Sequence, residues 1–107
     1  MRNLIPGQIV SSIAGRDNGR FYIVVKVDSP EEVWVADGKY RTLERPKRKK
    51  AKHLQRQNVI IHDLNEKLSQ GEKVYDSALR EVLKRFMRSK EADNGEGGAP
   101  GGEERCN

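Results

Sequence analysis

The sequence predicts a mainly β domain, a small barrel of short strands, followed by one or two short helices and a disordered tail. Short segments rich in β-branched and aromatic residues, separated by turn residues, make up the first half of the chain. Apolar residues then recur with helical spacing, and the C-terminal segment carries five of the ten glycines and no large apolar residue. We therefore divide the 107 residues into a barrel over 1–56, a helical extension over 57–90 and an acidic, glycine-rich tail over 91–107.

Five strands account for the barrel, and they are expected at 7–13, 20–28, 32–37, 39–43 and 51–54. Turn-forming residues at 14–19 separate the first two strands, and Asp37-Gly38 is a strong signal for a two-residue hairpin between the third and the fourth. Because an open sheet of such short strands would leave unpaired edges, we expect a closed or nearly closed barrel. Trp34 is expected in the core, on the face opposite to its two valine neighbours.

Two helices are expected after the strands. A short one covers 63–69, and a longer one covers 77–89 with Asp76 as its N-cap. One face of the longer helix has an apolar stripe made of Leu79, Val82, Leu83, Phe86 and Met87, and another face has a basic line made of Arg80, Lys84 and Arg88. We expect the stripe to pack on an opening of the barrel, because so small a domain gains from extra buried area. Docking onto a partner or a second copy is the alternative.

Charge is distributed unevenly along the chain. Residues 1–90 contain twenty Lys and Arg against eleven Asp and Glu, a net charge of +9, whereas residues 91–107 have a net charge of −4. The high positive charge of residues 1–90 favours binding to a polyanion, either nucleic acid or an anionic membrane surface. A membrane-surface role ranks last, since it needs an aromatic-rich amphipathic helix and the longer helix offers Phe86 alone.

The sequence also predicts a location. No apolar run is long enough for a membrane span, and residues 1–6 lack the apolar region of a secretory signal. The single cysteine, Cys106, cannot form an internal disulfide. We therefore expect a cytoplasmic protein.

The turn Gly15-Arg16-Asp17-Asn18-Gly19-Arg20 is the first candidate binding element. Its glycines allow a positive φ and a close backbone approach, and the arginines beside them can fork onto phosphate oxygens. An ordinary hairpin loop with solvated charges is the alternative.

Residues 9–27, which contain this turn, resemble a KOW motif, in which alternating apolar residues on two strands flank a Gly-Arg-x-x-Gly-Lys/Arg turn. Gly19 matches the signature glycine of the motif. The resemblance covers roughly residues 5–56 and ends at Lys52-His53-Leu54. This layout is similar to the N-terminal domain of large ribosomal subunit protein fourteen of archaea and eukaryotes, and to bacterial KOW-domain RNA-binding proteins.

The resemblance implies an SH3-like β-barrel of the KOW type that binds structured RNA, usually within a ribosome, and it implies no catalysis. KOW domains also occur in transcription elongation factors, where they contact polymerase, nucleic acid or ribosomal protein. A protein-interaction module of that type is therefore the alternative function.

The segment 39–56 is the second candidate binding element, with nine Lys and Arg against Glu44 alone. Such charges repel one another in the free protein, and a polyanion would relieve that repulsion. A solvated surface is the alternative. From the two elements we predict an RNA-binding site made of Gly15, Arg16, Gly19, Arg20, Lys39, Arg41, Lys47, Arg48, Lys49, Lys50, Lys52 and His53. The basic line of the longer helix can extend this site.

Recognition is expected to depend on the shape and backbone of folded RNA, because few aromatic side chains are available for stacking on bases. Tyr22 or Tyr40 could stack on a base, but packing in the core or at the rim is the favoured role for both.

Enzymatic functions find no support in the sequence. His53, His62 and Cys106 lie apart without the spacing of zinc ligands, and there is no phosphate-binding loop or nucleophile motif. We expect no catalysis, no cofactor, no metal and no small-molecule substrate. The expected partners are RNA, foremost ribosomal RNA, and ribosomal particles, so the protein is predicted to serve translation as a ribosomal or ribosome-associated protein. No oligomeric state follows from the sequence.

Overall fold

The computed structural model describes the backbone of residues 3–95 and the side chains of residues 3–90. A five-stranded antiparallel sheet is followed by two helices, which confirms a mainly β domain with C-terminal helical structure. The strands are β1 (Gln8–Ser12), β2 (Phe21–Ser29), β3 (Glu32–Ala36), β4 (Lys47–Lys50) and β5 (Leu54–Ile60). A 3-10 helix (Ala51–His53) joins β4 to β5, and the helices are α1 (His62–Ser69) and α2 (Asp76–Gly95).

The sheet is open. The short strands predicted a closed or nearly closed barrel, and the closed form is not found in the described range of the chain. Its strand order is β4-β3-β2-β1-β5, so β4 and β5 are the two edges, and no ladder joins them within residues 3–95.

The open sheet is nevertheless strongly curved. Three strand spacings separate β4 from β1, which in a flat sheet would be about 14 Å. Even so, Lys49 Nζ on β4 donates to Ser12 Oγ on β1 at 3.0 Å. Irregularities in the ladders between β1 and β5 and between β2 and β3 bend the strands. The curvature brings β4 over β1 and encloses one face of the sheet.

Apolar side chains cover both faces of the sheet. The enclosed face holds Val10, Tyr22, Val24, Val33, Val35 and Leu54. The outer face holds Ile9 and Ile23 together with Ala36, and these meet the helix residues Leu64, Leu79 and Leu83. Successive residues of a strand point to opposite faces, so β1 is buried along its whole length.

Helix α2 packs on the domain itself, as we expected, but it covers the outer face of the sheet and not an opening of a barrel. Leu79 and Leu83 are buried there, and the Phe86 ring meets the Phe21 ring edge to face with centroids 5.2 Å apart. Met87, the last residue of the predicted stripe, remains 46% exposed.

The strand predicted at 39–43 is wrong, since these residues form a loop. Side chains take the backbone N–H groups that a ladder would need. Asp37 Oδ1 accepts the N–H groups of Lys39 and Arg41, each at 2.9 Å. The carboxylate of Asp76 accepts the N–H group of Leu43. Asp76, expected to cap α2, therefore ties this loop to the first turn of the helix.

The fourth strand is instead the basic segment itself, Lys47–Lys50, which pairs with β3. The fifth strand was expected around 51–54, but residues 51–53 form the 3-10 helix and the strand extends from Leu54 to Ile60. It pairs with β1 along this length, and a bulge between Arg56 and Ile60 makes it longer than the five residues of β1.

Trp34 does not lie in the core. Its neighbours Val33 and Val35 occupy the enclosed face, so alternation places Trp34 on the outer face, where it is half-buried. Its indole N–H donates to Asp28 Oδ2 at 2.9 Å, and the guanidinium of Arg48 lies 5.8 Å from its ring centroid.

Both helices occur where helical periodicity predicted them, and α2 continues to Gly95, past the predicted start of the tail at Glu91. The rest of the predicted tail, 96–107, lies outside the described residues.

Candidate nucleic-acid interface

The turn between β1 and β2 has the backbone that its glycines predicted. Gly15 and Gly19 have φ values of +90° and +93°, a region that residues with a side chain rarely adopt. The Gly19 N–H donates to Ser12 O at 2.8 Å, and the Ser12 N–H donates to Arg20 O at 2.9 Å. Arg16 and Arg20 are exposed on this turn.

Asp17, in the middle of the turn, points into the protein. Ser12 Oγ and Tyr22 Oη donate to its carboxylate at 2.8 and 2.9 Å. The ammonium groups of Lys47 and Lys49 donate to it at 3.1 and 3.2 Å. A carboxylate has about four acceptor positions, so these donors satisfy it.

The donors around Asp17 determine its charge state. Burial by itself would raise the pKa of Asp17, but the hydrogen bonds from Ser12, Lys47, Tyr22 and Lys49 outweigh burial and hold that pKa far below its ordinary value. Burial and the hydrogen bond to the Asp17 carboxylate raise the pKa of Tyr22 to about 12. At neutral pH the turn therefore contains a buried carboxylate ion beside a neutral tyrosine.

The register of β4 decides which basic side chains enter the interior. Lys49 lies opposite Val33 and Lys47 lies opposite Val35, and residues that face each other across two strands share a side of the sheet. Lys47 and Lys49 therefore point to the enclosed face, and Arg48 and Lys50 point outward. Lys49 Nζ donates to Ser12 Oγ, Ala14 O and Asp17 Oδ1, which uses all three of its protons.

The nine predicted cations thus divide into two groups. Three consecutive residues of β4 are paired with acids: Lys47 and Lys49 with Asp17, and Arg48 with Glu32. The other six are exposed and have no acid within 4.0 Å among the described residues, namely Arg16, Arg20, Lys39, Arg41, Lys50 and Lys52.

Some of these cations meet in a cleft of about 520 Å³ between the β1–β2 turn, the 37–41 loop and α2. We call it the basic cleft and define it by Arg20, Lys39, Tyr40, Arg80 and Lys84. Two of these cations lie close to the Tyr40 ring: the Arg20 guanidinium is 4.3 Å from the ring centroid and Lys39 Nζ is 5.1 Å from it. Arg80 Nη1 donates to a backbone carbonyl of the loop at 2.7 Å.

Other predicted residues lie elsewhere. Lys50 and Lys52 line a second concavity beside the β2–β3 hairpin, which also contains Glu31 and Glu32. His53 is half-buried in the 3-10 helix, and its carbonyl oxygen accepts the Ile13 N–H at 2.9 Å. The structure therefore does not bring all twelve predicted residues into one site.

Two contributions to the candidate interface were not predicted, that of Asp17 with Tyr22 and that of Tyr40. The roles of Asp17 and Tyr22 depend on contacts across three strands, and nothing in the sequence marks them. Tyr40 was assigned to a strand and to packing, yet it lies in a loop and is 62% exposed. The basic line Arg80, Lys84 and Arg88 was considered from the sequence as an extension of the RNA-binding site, and two of its members line the basic cleft.

Comparison with models of known protein families gives no match, and a search of curated proteins gives no significant match either. Among the side chains of residues 3–90, no group of three or more His, Cys, Asp or Glu is placed to hold a metal ion. Neither α1 nor α2 has the length and apolar character needed to cross a membrane, over the part of the chain that the structure describes.

Proposed function

We propose that this protein binds structured RNA, foremost ribosomal RNA, by its sugar–phosphate backbone, as a ribosomal or ribosome-associated protein of the cytoplasm. The observation that carries the proposal is the group of six exposed cations without an acidic partner among the described residues. Unpaired surface cations are what a nucleic-acid backbone neutralises, with release of its counterions.

The Asp17 network supports this role through preorganisation. Four donors from three strands fix the Asp17 carboxylate. Arg16 is the neighbour of Asp17 in the chain, and the Arg20 N–H donates to the Asp17 carbonyl oxygen at 2.9 Å. A turn that is ordered before binding loses less conformational entropy when it meets a phosphate. Lys49 takes no part in the proposed contact, because it is 8% exposed and its protons are all donated within the protein.

The fold is also compatible with the proposal. Strand order β4-β3-β2-β1-β5, curvature around an enclosed apolar cluster and a glycine turn between the first two strands support an SH3-like barrel of the KOW type. That assignment belongs to the proposal, as does the RNA partner that the KOW resemblance implies.

The salt dependence of RNA affinity tests the proposed contact. The variant combines Arg16→Ala, Lys39→Ala and Lys50→Ala, and affinity for a structured ribosomal RNA fragment is measured across a series of salt concentrations. Each lost phosphate contact should lower the slope of log affinity against log salt by about 1, so the triple variant should lose about 3.

The matched control removes three charges from another part of the surface, as Lys67→Ala, Lys73→Ala and Arg85→Ala. Lys67 and Arg85 are paired with acids on their own helices. The control should keep the wild-type slope. If both variants lower the slope of log affinity against log salt equally, the effect depends on net charge alone. That result would contradict the proposed contact surface. Co-sedimentation of the wild-type protein with ribosomal particles at low salt tests the ribosomal part.

A protein-interaction module of the transcription-elongation type is the second candidate. One observation favours it, a concavity of about 470 Å³ lined by Trp34, Pro46 and Leu68 on the outer face. A pull-down with and without nuclease separates the two functions. Partners that survive nuclease treatment support the protein module, whereas partners lost with the RNA support RNA binding.

A further inference from the structure

Tyr40 is the most accessible aromatic side chain beside the unpaired cations. It is 62% exposed, although the Arg20 guanidinium lies over its ring. Burial of a solvent-exposed aromatic ring by a ligand lowers the free energy. A nucleobase suits this role, because it is planar and stacks both on aromatic rings and on guanidinium groups.

The basic cleft around Tyr40 combines two kinds of surface. Phe21, Leu83 and Met87 contribute apolar lining, and Arg20, Lys39, Arg80 and Lys84 contribute positive charge. Its volume of about 520 Å³ falls within the range of about 300–1,000 Å³ that is typical of ligand clefts. An apolar floor under a cationic rim suits a nucleotide, whose base is apolar on its faces and whose phosphate is an anion.

One acid also lines the cleft. Asp37 Oδ1 accepts the N–H groups of Lys39 and Arg41, while no side chain or backbone group of residues 3–90 donates to Asp37 Oδ2. A free carboxylate oxygen repels a second anion and accepts a hydrogen bond from a hydroxyl or amino group. A ribose hydroxyl or a base amino group provides that donor, and an acidic side chain does not.

From these contacts we infer that the basic cleft binds one unstacked nucleotide of the RNA, such as a bulged or loop nucleotide, with its base against Tyr40 and its phosphate among the cations. The inference rests on the proposed RNA binding and adds a base-dependent contact to it. Backbone contacts position the RNA, and the cleft distinguishes an unpaired nucleotide from a paired one.

Three RNA duplexes with the same flanking base pairs, each annealed from two strands so that none has a loop, test the inference. One is fully paired, one carries a single bulged nucleotide, and one carries an abasic residue at the bulge. The wild-type protein should bind the bulged RNA about tenfold more tightly than the other two, within the range measured for stacking of one base on an aromatic side chain. The abasic RNA keeps the phosphate and the backbone distortion of the bulge. The difference in affinity between the bulged and the abasic RNA therefore measures the contribution of the base alone.

Tyr40→Ala should reduce affinity for the bulged RNA to the abasic level and leave the other two affinities unchanged, and Tyr40→Phe should retain the preference. Tyr75→Ala is the matched control, because Tyr75 is also 62% exposed and has Lys73 Nζ 5.6 Å from its ring centroid, but it does not line the cleft. It should behave as wild type.

Equal binding of the bulged and abasic RNAs by the wild-type protein would overturn the inference, even if Tyr40→Ala failed to fold. Displacement of the bulged RNA by an acidic peptide at equal concentration would assign the cleft to a protein partner instead. If all three RNAs bind equally, RNA binding stands and the nucleotide site fails. If none binds at low salt, the proposed function itself fails.

Discussion

The ammonium group of Lys49 lies 3.2 Å from Oδ1 of Asp17, and the two side chains are only 8% and 7% exposed. This buried ion pair joins the edge strand β4 to the turn between β1 and β2. It places in the interior a lysine from the middle of the most basic segment of the chain, and it links the stability of the curved sheet to the shape of the candidate binding turn.

Removing either charge of this pair should be strongly destabilising. Lys49→Met leaves the Asp17 carboxylate with one fewer donor in a buried position, and breaking a buried pair typically costs about 3–5 kcal/mol. Urea unfolding measures the change. The double variant Lys49→Met/Asp17→Asn should lose less than the sum of the single losses, because each single variant leaves a buried group without its partner.

Arg48→Ala is the comparison for the Lys49 experiment. Arg48 is the next residue on β4 and pairs with Glu32, but its side chain is 55% exposed. An exposed pair contributes about 0–1 kcal/mol, so this variant should unfold close to the wild-type midpoint. Similar losses for Arg48→Ala and Lys49→Met would contradict the buried position of Lys49.

Acid should remove the contribution of Asp17. The pKa of Asp17 in the folded protein is held well below its ordinary value of about 3.9. The ionised carboxylate therefore stabilises the fold fully when the pH is above the ordinary value, and this stabilisation is lost as the pH falls below the ordinary value towards the folded pKa. The difference in unfolding free energy between wild type and Asp17→Asn should therefore be constant from about pH 7 to about pH 5 and shrink below about pH 4. A difference that stays constant at acidic pH would mean that the hydrogen-bonded carboxylate is not present.

Alkali should act through Tyr22 in the opposite sense. Its folded pKa is about 12, above the ordinary value of about 10, so the stabilisation is present below the ordinary value and is lost as the pH rises through the folded one. The stability advantage of wild type over Tyr22→Phe should decline between about pH 10 and about pH 12. Urea unfolding followed by circular dichroism measures it, and an advantage that grows with pH would contradict the assignment.

Two glycines with positive φ should respond differently to alanine. Gly19 has φ +93°, and no atom of the described residues lies within 4 Å of the position that a Cβ would take, so Gly19→Ala should cost only backbone strain, about 1–2 kcal/mol. Gly38 has φ +80°, and a Cβ there would also overlap the carbonyl oxygen of Asp76. Gly38→Ala should therefore lower the melting temperature more than Gly19→Ala. The reverse order would mean that the 37–41 loop does not rest on α2.

Local patterns in the sequence were sufficient for much of the fold. The alternation of apolar and polar residues predicted β2 and β3, and the turn residues around Gly15 and Gly19 predicted the connection between β1 and β2. Both signals depend only on neighbours along the chain. The helices were predicted within a few residues at their starts for the same reason. The prediction of a strand at 39–43 was wrong. One of the carboxylates that accept its backbone N–H groups belongs to Asp76, which is far away in the sequence.

What the sequence determined by itself is the amount of positive charge, its concentration around 39–56 and the glycine turn beside it. Only the tertiary structure decided which cations are free. The register of β4 on β3 and the curvature of the sheet direct Lys49 to a carboxylate on a distant turn, and they leave the flanking Lys39 and Lys50 exposed. The physical reason is that charge is a property of each residue, whereas its neutralisation depends on a partner that folding brings within hydrogen-bonding distance.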